Sequence, residues 1–194
     1  MLEKPLIYVG RITNLSDARY CAGMGVDMLG FSIDPSSEDY VSPKTYQEII
    51  GWVSGPKRVI EISGEPNIKW DEIMEQYKPD LIHLSYTRSN DTLPDIPVIL
   101  ELTFSEWMSD QNKLSSLPLS IQHVLVKDVP AEFNDTFDSS GFTILLALDS
   151  TTTEPLSHFL KAGVDGFALQ GTKEEAPGLK DYDHLSRILE ELDE

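Results

Sequence analysis

Short apolar runs alternate along the chain with segments whose apolar residues recur at helical spacing. The runs are Leu6–Val9, Met28–Ile33, Arg58–Ile62, Leu81–Leu84, Val98–Leu102, His123–Val126, Thr143–Leu148 and Gly166–Leu169. Each has strand length and is bounded by turn formers or polar residues. Between them lie amphipathic helices. Tyr46, Ile49, Ile50 and Val53 fall at i, i+3, i+4 and i+7, with Ser42 as N-cap and Pro43 in the first position, where its missing N–H costs nothing. Trp70, Ile73, Met74 and Tyr77 repeat that spacing, as do Leu185, Ile188, Leu189 and Leu192. Thr153-Glu154-Pro155 opens a further helix with Leu156, Phe159 and Leu160 on one side. Two connections are poor helices. Tyr86–Pro97 holds two prolines and several turn formers, and Pro130–Gly141 is polar with only Phe133 and Phe137 as anchors.

Strands alternating with helices predict βαβ units and a parallel sheet, because parallel neighbours need a crossover. Eight strands in 194 residues leave roughly 24 residues per unit, compact beside the usual barrel of about 250. An open flavodoxin-like sheet uses about five or six strands and would leave some runs without a place. The expected fold is α/β: one compact (β/α)8 TIM barrel spanning 1–194, with irregular connections after the fourth and sixth strands.

Composition narrows the function classes. The formal charge of −18 argues against nucleic acid and anionic membrane as partners, since both require a cationic face. It also opposes phosphorylated ligands, unless local cations or helix N-termini reverse the field. A single cysteine, Cys21, excludes an intramolecular disulfide or a Cys-based zinc cluster and suits a reducing compartment. It lies in the first helix beside Ala18 and Ala22, as a small core residue does. No apolar run reaches membrane-spanning length, and MLEKPLIYVG lacks a signal-peptide pattern, so a cytoplasmic location is expected. No cofactor or metal is implied.

Strand alternation also places chemistry. Glu61 shares a face with Val59, His83 with Leu81, Glu101 with Ile99, and Lys127 with Leu125, on four consecutive strands. If these faces point inward, four ionisable groups meet in the upper barrel, where aliphatic layers are usual. Buried charges require partners, so Lys127 with Glu61 or Glu101 is the natural bridge. Two readings stand: a salt-bridged plug in a disused cavity, which is favoured, or a remodelled polar pocket for a cationic or neutral ligand.

The stretch Leu6–Pro43, with Arg11-Ile12-Thr13 after the first strand and Tyr40-Val41-Ser42-Pro43 after the second, resembles the opening βαβ of the phosphoribosylanthranilate isomerase family. Pro177-Gly178-Leu179-Lys180-Asp181 is similar to that family's Pro-Gly-X-Lys-Asp and implies the start of the last helix. The resemblance implies a (β/α)8 fold and a site at the C-terminal ends of the strands. It also implies an Amadori rearrangement, with a Cys base after the first strand, an Asp acid after the sixth and an Arg for the anthranilate carboxylate. Backbone N–H groups of glycines after the seventh and eighth strands would hold the phosphate.

This chain departs at most of those places. Gly10 stands for the Cys, Asp39 for the Arg, and Leu148-Asp149 for the Gly pair; Gly171 keeps one later glycine. Asp128, at the end of the sixth strand, matches the acid. Tyr8, Arg11, Glu61, His83, Glu101, Lys127 and Gly171 are the candidate binding residues. The reading preferred from the sequence is a divergent relative without the isomerase reaction, keeping a small-molecule or regulatory role at the C-terminal mouth, as monomer or homodimer. The alternatives are an active isomerase with Glu61 or His83 as substitute base, and a barrel whose acidic surface meets a basic protein.

Overall fold

In a computed structural model the chain is described at residues 4–63, 69–88, 93–114, 116–130, 133, 136–137, 141–148, 155–171, 174–176, 179–180 and 183–193. Eight parallel strands close into a barrel in sequence order: β1 (Leu6–Gly10), β2 (Met28–Ser32), β3 (Lys57–Ile62), β4 (Leu81–Ser85), β5 (Val98–Thr103), β6 (Ile121–Lys127), β7 (Thr143–Ala147) and β8 (Gly166–Gln170). Each apolar run read from the sequence is one of these strands, to within two residues. Closure comes from β1 pairing with β8 over its whole length, Leu6 opposite Gly166 through Gly10 opposite Gln170.

The helices lie between strands. They are α1 (Leu15–Gly23), α2 (Pro43–Ile50), α3 (Trp70–Gln76), α4 (Phe104–Ser109), α5 (Gln111–Leu114), α6 (Leu156–Lys161) and α7 (Asp183–Asp193). Ser42 caps α2 by accepting from the Thr45 N–H, with Pro43 in the first turn. The connection after β4 begins with a single 3₁₀ turn, Tyr86–Arg88. After β6 no helix occurs among the described residues; Phe133 and Phe137 pack against each other with centroids 4.9 Å apart. One expectation is corrected. Leu179–Lys180 do not begin the last helix but form β10, antiparallel to β9 (Glu174–Ala176), and α7 starts at Asp183. A ladder satisfies their backbone groups before the helix begins. Pro177, Gly178 and Asp181 lie outside the described residues, as do Thr153 and Glu154.

Two apolar layers result. The larger, between sheet and helices, takes the outward residues of the strands together with Cys21, Ala18, Tyr46 and Ile49. Cys21 is buried there, the small core residue its neighbours predict. The smaller layer fills the barrel with Tyr8, Met28, Val59, Leu81, Ile99, Leu125, Leu145 and Ala168. At the bottom, a carboxylate just before every even strand but β6 receives a backbone N–H from the strand before it. Asp27 Oδ2 accepts from Ile7 N at 2.8 Å, Asp80 Oδ2 from Arg58 N at 2.8 Å, and Asp165 Oδ2 from Ile144 N at 2.7 Å. These charge-assisted bonds satisfy donors where the ladder begins. With the base pinned this way, the upper ends of the strands are held in register around the mouth.

Candidate functional site

Above the inner apolar layer the inward positions change character. Glu61, His83 and Glu101, from β3, β4 and β5, enter a cavity of about 500 Å³ at the C-terminal mouth. Lys127, at the end of β6, reaches Glu101 from outside the cavity wall, with Nζ to Oε1 at 2.8 Å. Glu101 in turn lies 3.5 Å from His83 Nε2, and His83 Nδ1 lies 3.1 Å from the Tyr8 hydroxyl. That hydroxyl donates to Glu61 Oε1. The result is one continuous ionic chain running Lys127, Glu101, His83, Tyr8, Glu61. Of the two glutamates, it is Glu101 that bridges to Lys127.

The electrostatics follow from this order. Burial opposes a charge on His83, but the carboxylates of Glu101 and Glu61 outweigh it and lift its pKa to about 9. Glu101, held chiefly by His83 against the cost of its own burial and further by Lys127, is pushed down to about 2. The Lys127 ammonium is raised by its bond to Glu101. Burial first, and the Glu61 charge second, hold the Tyr8 phenol well above its ordinary value, so it stays a donor. At neutral pH His83 is an imidazolium between two carboxylates.

Room for this chain comes from two glycines. A Cβ on Gly10 would collide with Glu61 Oε1, and one on Gly30 would collide with both Glu61 Oε1 and the Tyr8 hydroxyl. The Glu61 carboxylate therefore occupies the space that a residue-10 side chain would take. Two glycines at inward positions of adjacent strands, beside an inward tyrosine, are the signal in the sequence that a bulky polar group fills the notch.

The other candidates sit at the rim. Arg11 is half exposed and has a left-handed backbone, φ 57°. Its N–H lies 3.3 Å from both Glu61 oxygens, and its Nε lies 3.8 Å from Asp39 Oδ2. The resemblance implies a cation on the β2 loop; here that loop carries the anion Asp39, and the cation facing it, Arg11, is on the β1 loop. The Gly171 N–H donates to the Gly10 carbonyl at 2.7 Å, so this donor is used inside the barrel. Asp128 is exposed, with φ 59°, and is not among the residues lining the cavity. Leu148 lines the cavity rim, whereas Asp149 lies outside the described residues. Ser32, Ser63 and Ser85, not singled out from the sequence, also line the cavity; the Ser63 hydroxyl donates to Asp34 and that of Ser85 pairs with Thr87. Among the described residues no group of three or more potential ligands could hold a metal ion.

Fold and site together define a (β/α)8 barrel with a polar, internally ion-paired mouth. No protein-family model matches the chain, and no curated protein sequence matches it. Solved structures do. Phosphoribosyl anthranilate isomerase from Thermus thermophilus is 20% identical, with a TM-score of 0.70, over 97% of this chain and 98% of that one. A phosphoribosyl anthranilate isomerase in complex with reduced 1-(o-carboxyphenylamino)-1-deoxyribulose 5-phosphate is 19% identical, with a TM-score of 0.72 over the same shares, 97% and 98%. A citrate synthase variant is similar at lower scores, 12% identical with a TM-score of 0.60, covering 96% of this chain and 93% of its own. The fold is that of the phosphoribosylanthranilate isomerases, and a barrel of this shape also carries other chemistry. No helix among the described residues is long and apolar enough to cross a membrane.

Proposed function

We propose that the protein is a divergent relative of the phosphoribosylanthranilate isomerases that does not perform their reaction and instead binds a different small molecule at the C-terminal mouth. The observation that carries this reading is the Glu61 carboxylate held by Tyr8 over Gly10, where the resemblance implies a catalytic thiol. Two further features support it. Asp39 would repel an anthranilate carboxylate, a swing of several kcal/mol where solvation is poor. The Gly171 donor that would meet a phosphate is engaged by Gly10.

The test is direct. Purified protein given phosphoribosylanthranilate is expected to show no turnover, to leave a tryptophan auxotroph without its isomerase unrescued, and to give no calorimetric signal with the reduced product analogue. Turnover at the rate of an ordinary isomerase would end this reading.

A second reading has one specific support. A carboxylate in the space of residue 10 is a proton acceptor near the implied base position, so Glu61 is the substitute base if any isomerisation occurs. In that case Glu61→Gln abolishes turnover while leaving binding of the product analogue intact.

A further inference from the structure

We infer that the mouth takes a small molecule with a protonated amine at one end and an apolar body at the other. This deepens the small-molecule reading above and rests on it. The described wall of the cavity is divided by strand. On the β3–β5 side it presents Glu61, His83 and Glu101, with Ser63 and Ser85 beside them. On the β6–β8 side it presents Leu125 and Ala168, members of the inner apolar cluster, and Ala147 packed against them, with Gln170 the one polar residue, at the upper end of β8. A ligand that satisfies both halves is amphipathic, because an apolar group against the carboxylates or a polar one against Leu125 forfeits solvation without compensation. The volume, about 500 Å³, is that of a small-molecule pocket.

The sign of the polar end follows from the charges. The described lining holds four carboxylates, Glu38, Asp39, Glu61 and Glu101, against one guanidinium, Arg11, and the His83 imidazolium. Lys127 adds one positive charge behind Glu101, which leaves the mouth negative. Every one of these cations already faces a carboxylate: Arg11 faces Asp39, His83 faces Glu61 and Glu101, and Lys127 faces Glu101. An anionic ligand has to compete with those carboxylates for the same cations and enters against the net negative charge of the mouth. An ammonium need displace nothing. A carboxylate has about four acceptor positions, and Glu61 holds the Tyr8 hydroxyl and the long contacts from Arg11 N. Its remaining lone pairs are the docking point for the amine. The overall charge of −18 raises the local concentration of cations in the same direction.

Calorimetry on the wild-type protein with a ladder of probes tests this. 2-Phenylethylamine is expected to bind about tenfold more tightly than 2-phenylethanol, the equivalent of one charge-assisted bond at about 1.4 kcal/mol per tenfold. Phenylacetate should bind more weakly than either, and ethylamine more weakly than 2-phenylethylamine. Glu61→Gln should erase the preference for amine over alcohol. Phenylacetate or inorganic phosphate binding as well as the amine overturns the assigned charge. Ethylamine matching 2-phenylethylamine overturns the apolar half, and no binding by any probe overturns the inference whole. The wild-type ladder decides these even if the variant fails to fold. Isomerase turnover is a separate readout: its presence sinks the earlier reading, whereas its absence together with a failed ladder sinks only this inference.

Discussion

Gly10 and Gly30 leave one notch between neighbouring strands, and what fills it governs the residues around it. Gly10→Cys drives a side chain into the Glu61 carboxylate and is expected to destabilise the protein by about 1–3 kcal/mol, the usual cost of overpacking. In the double variant Gly10→Cys with Glu61→Gly, urea denaturation should find the two losses sub-additive by about 0.5–3 kcal/mol, as for residues in direct contact. Additive losses would mean the notch is not shared. His83 and Glu101 set the pH behaviour. The folded-state pKa of His83 rises from 6.5 to about 9, so its contribution is complete below 6.5 and is lost as pH climbs through 9. Glu101 falls from 4.5 to about 2, so its contribution is present above 4.5 and is lost as pH drops through 2. Stability from this pair should plateau between 4.5 and 6.5. Its alkaline decline, on the order of 1–3 kcal/mol, should flatten in His83→Gln, read from melts across pH.

The elements differ in how openly the sequence announces them. Strands were legible because alternation and β-rich apolar runs are local properties, and α2 because Ser42 and Pro43 mark its start. The same alternation put Glu61, His83, Glu101 and Lys127 on matching faces, and in the structure they adjoin one another. Helix α4 was harder to read. Thr103 ends β5 and at once caps the helix, accepting from the Glu106 N–H while the Glu106 carboxylate takes the Thr103 N–H, so no loop residue separates the two. The Tyr8 bond to Glu61 and the Arg11 pairing with Asp39 could not be read from alternation, because both depend on the register that barrel closure imposes across separate βα units. The aspartates at the base were equally silent, although Gly25-Val26-Asp27 and Gly163-Val164-Asp165 repeat before β2 and β8. Their weight is testable. Asp165→Ala strands the Ile144 N–H at the entry to β7 and should cost about 1–3 kcal/mol in thermal or chemical unfolding. Asp165→Asn, which keeps an acceptor oxygen, should cost clearly less.

Across the whole molecule the excess of 33 acidic over 15 basic residues dominates. Exposed pairs such as Lys44 with Glu48 and Lys69 with Glu72 offset little of it, since solvent screens them. Repulsion among the remaining carboxylates should therefore weaken as salt shortens the screening length to about 10 Å at 0.1 M. The melting temperature is expected to rise with added sodium chloride by about 2–4 °C for each kcal/mol of repulsion relieved, in a chain of this size. A fall instead would show that attractive surface pairs outweigh the repulsion. The notch over Gly10 has a last consequence, and it concerns descent. A thiol arriving first at position 10 meets an occupied space. Losing Glu61 first takes from the buried Tyr8 phenol the carboxylate it donates to. Either order of single replacements passes through a weaker ancestor, so this mouth works as a ratchet, and its history is easier to extend than to retrace.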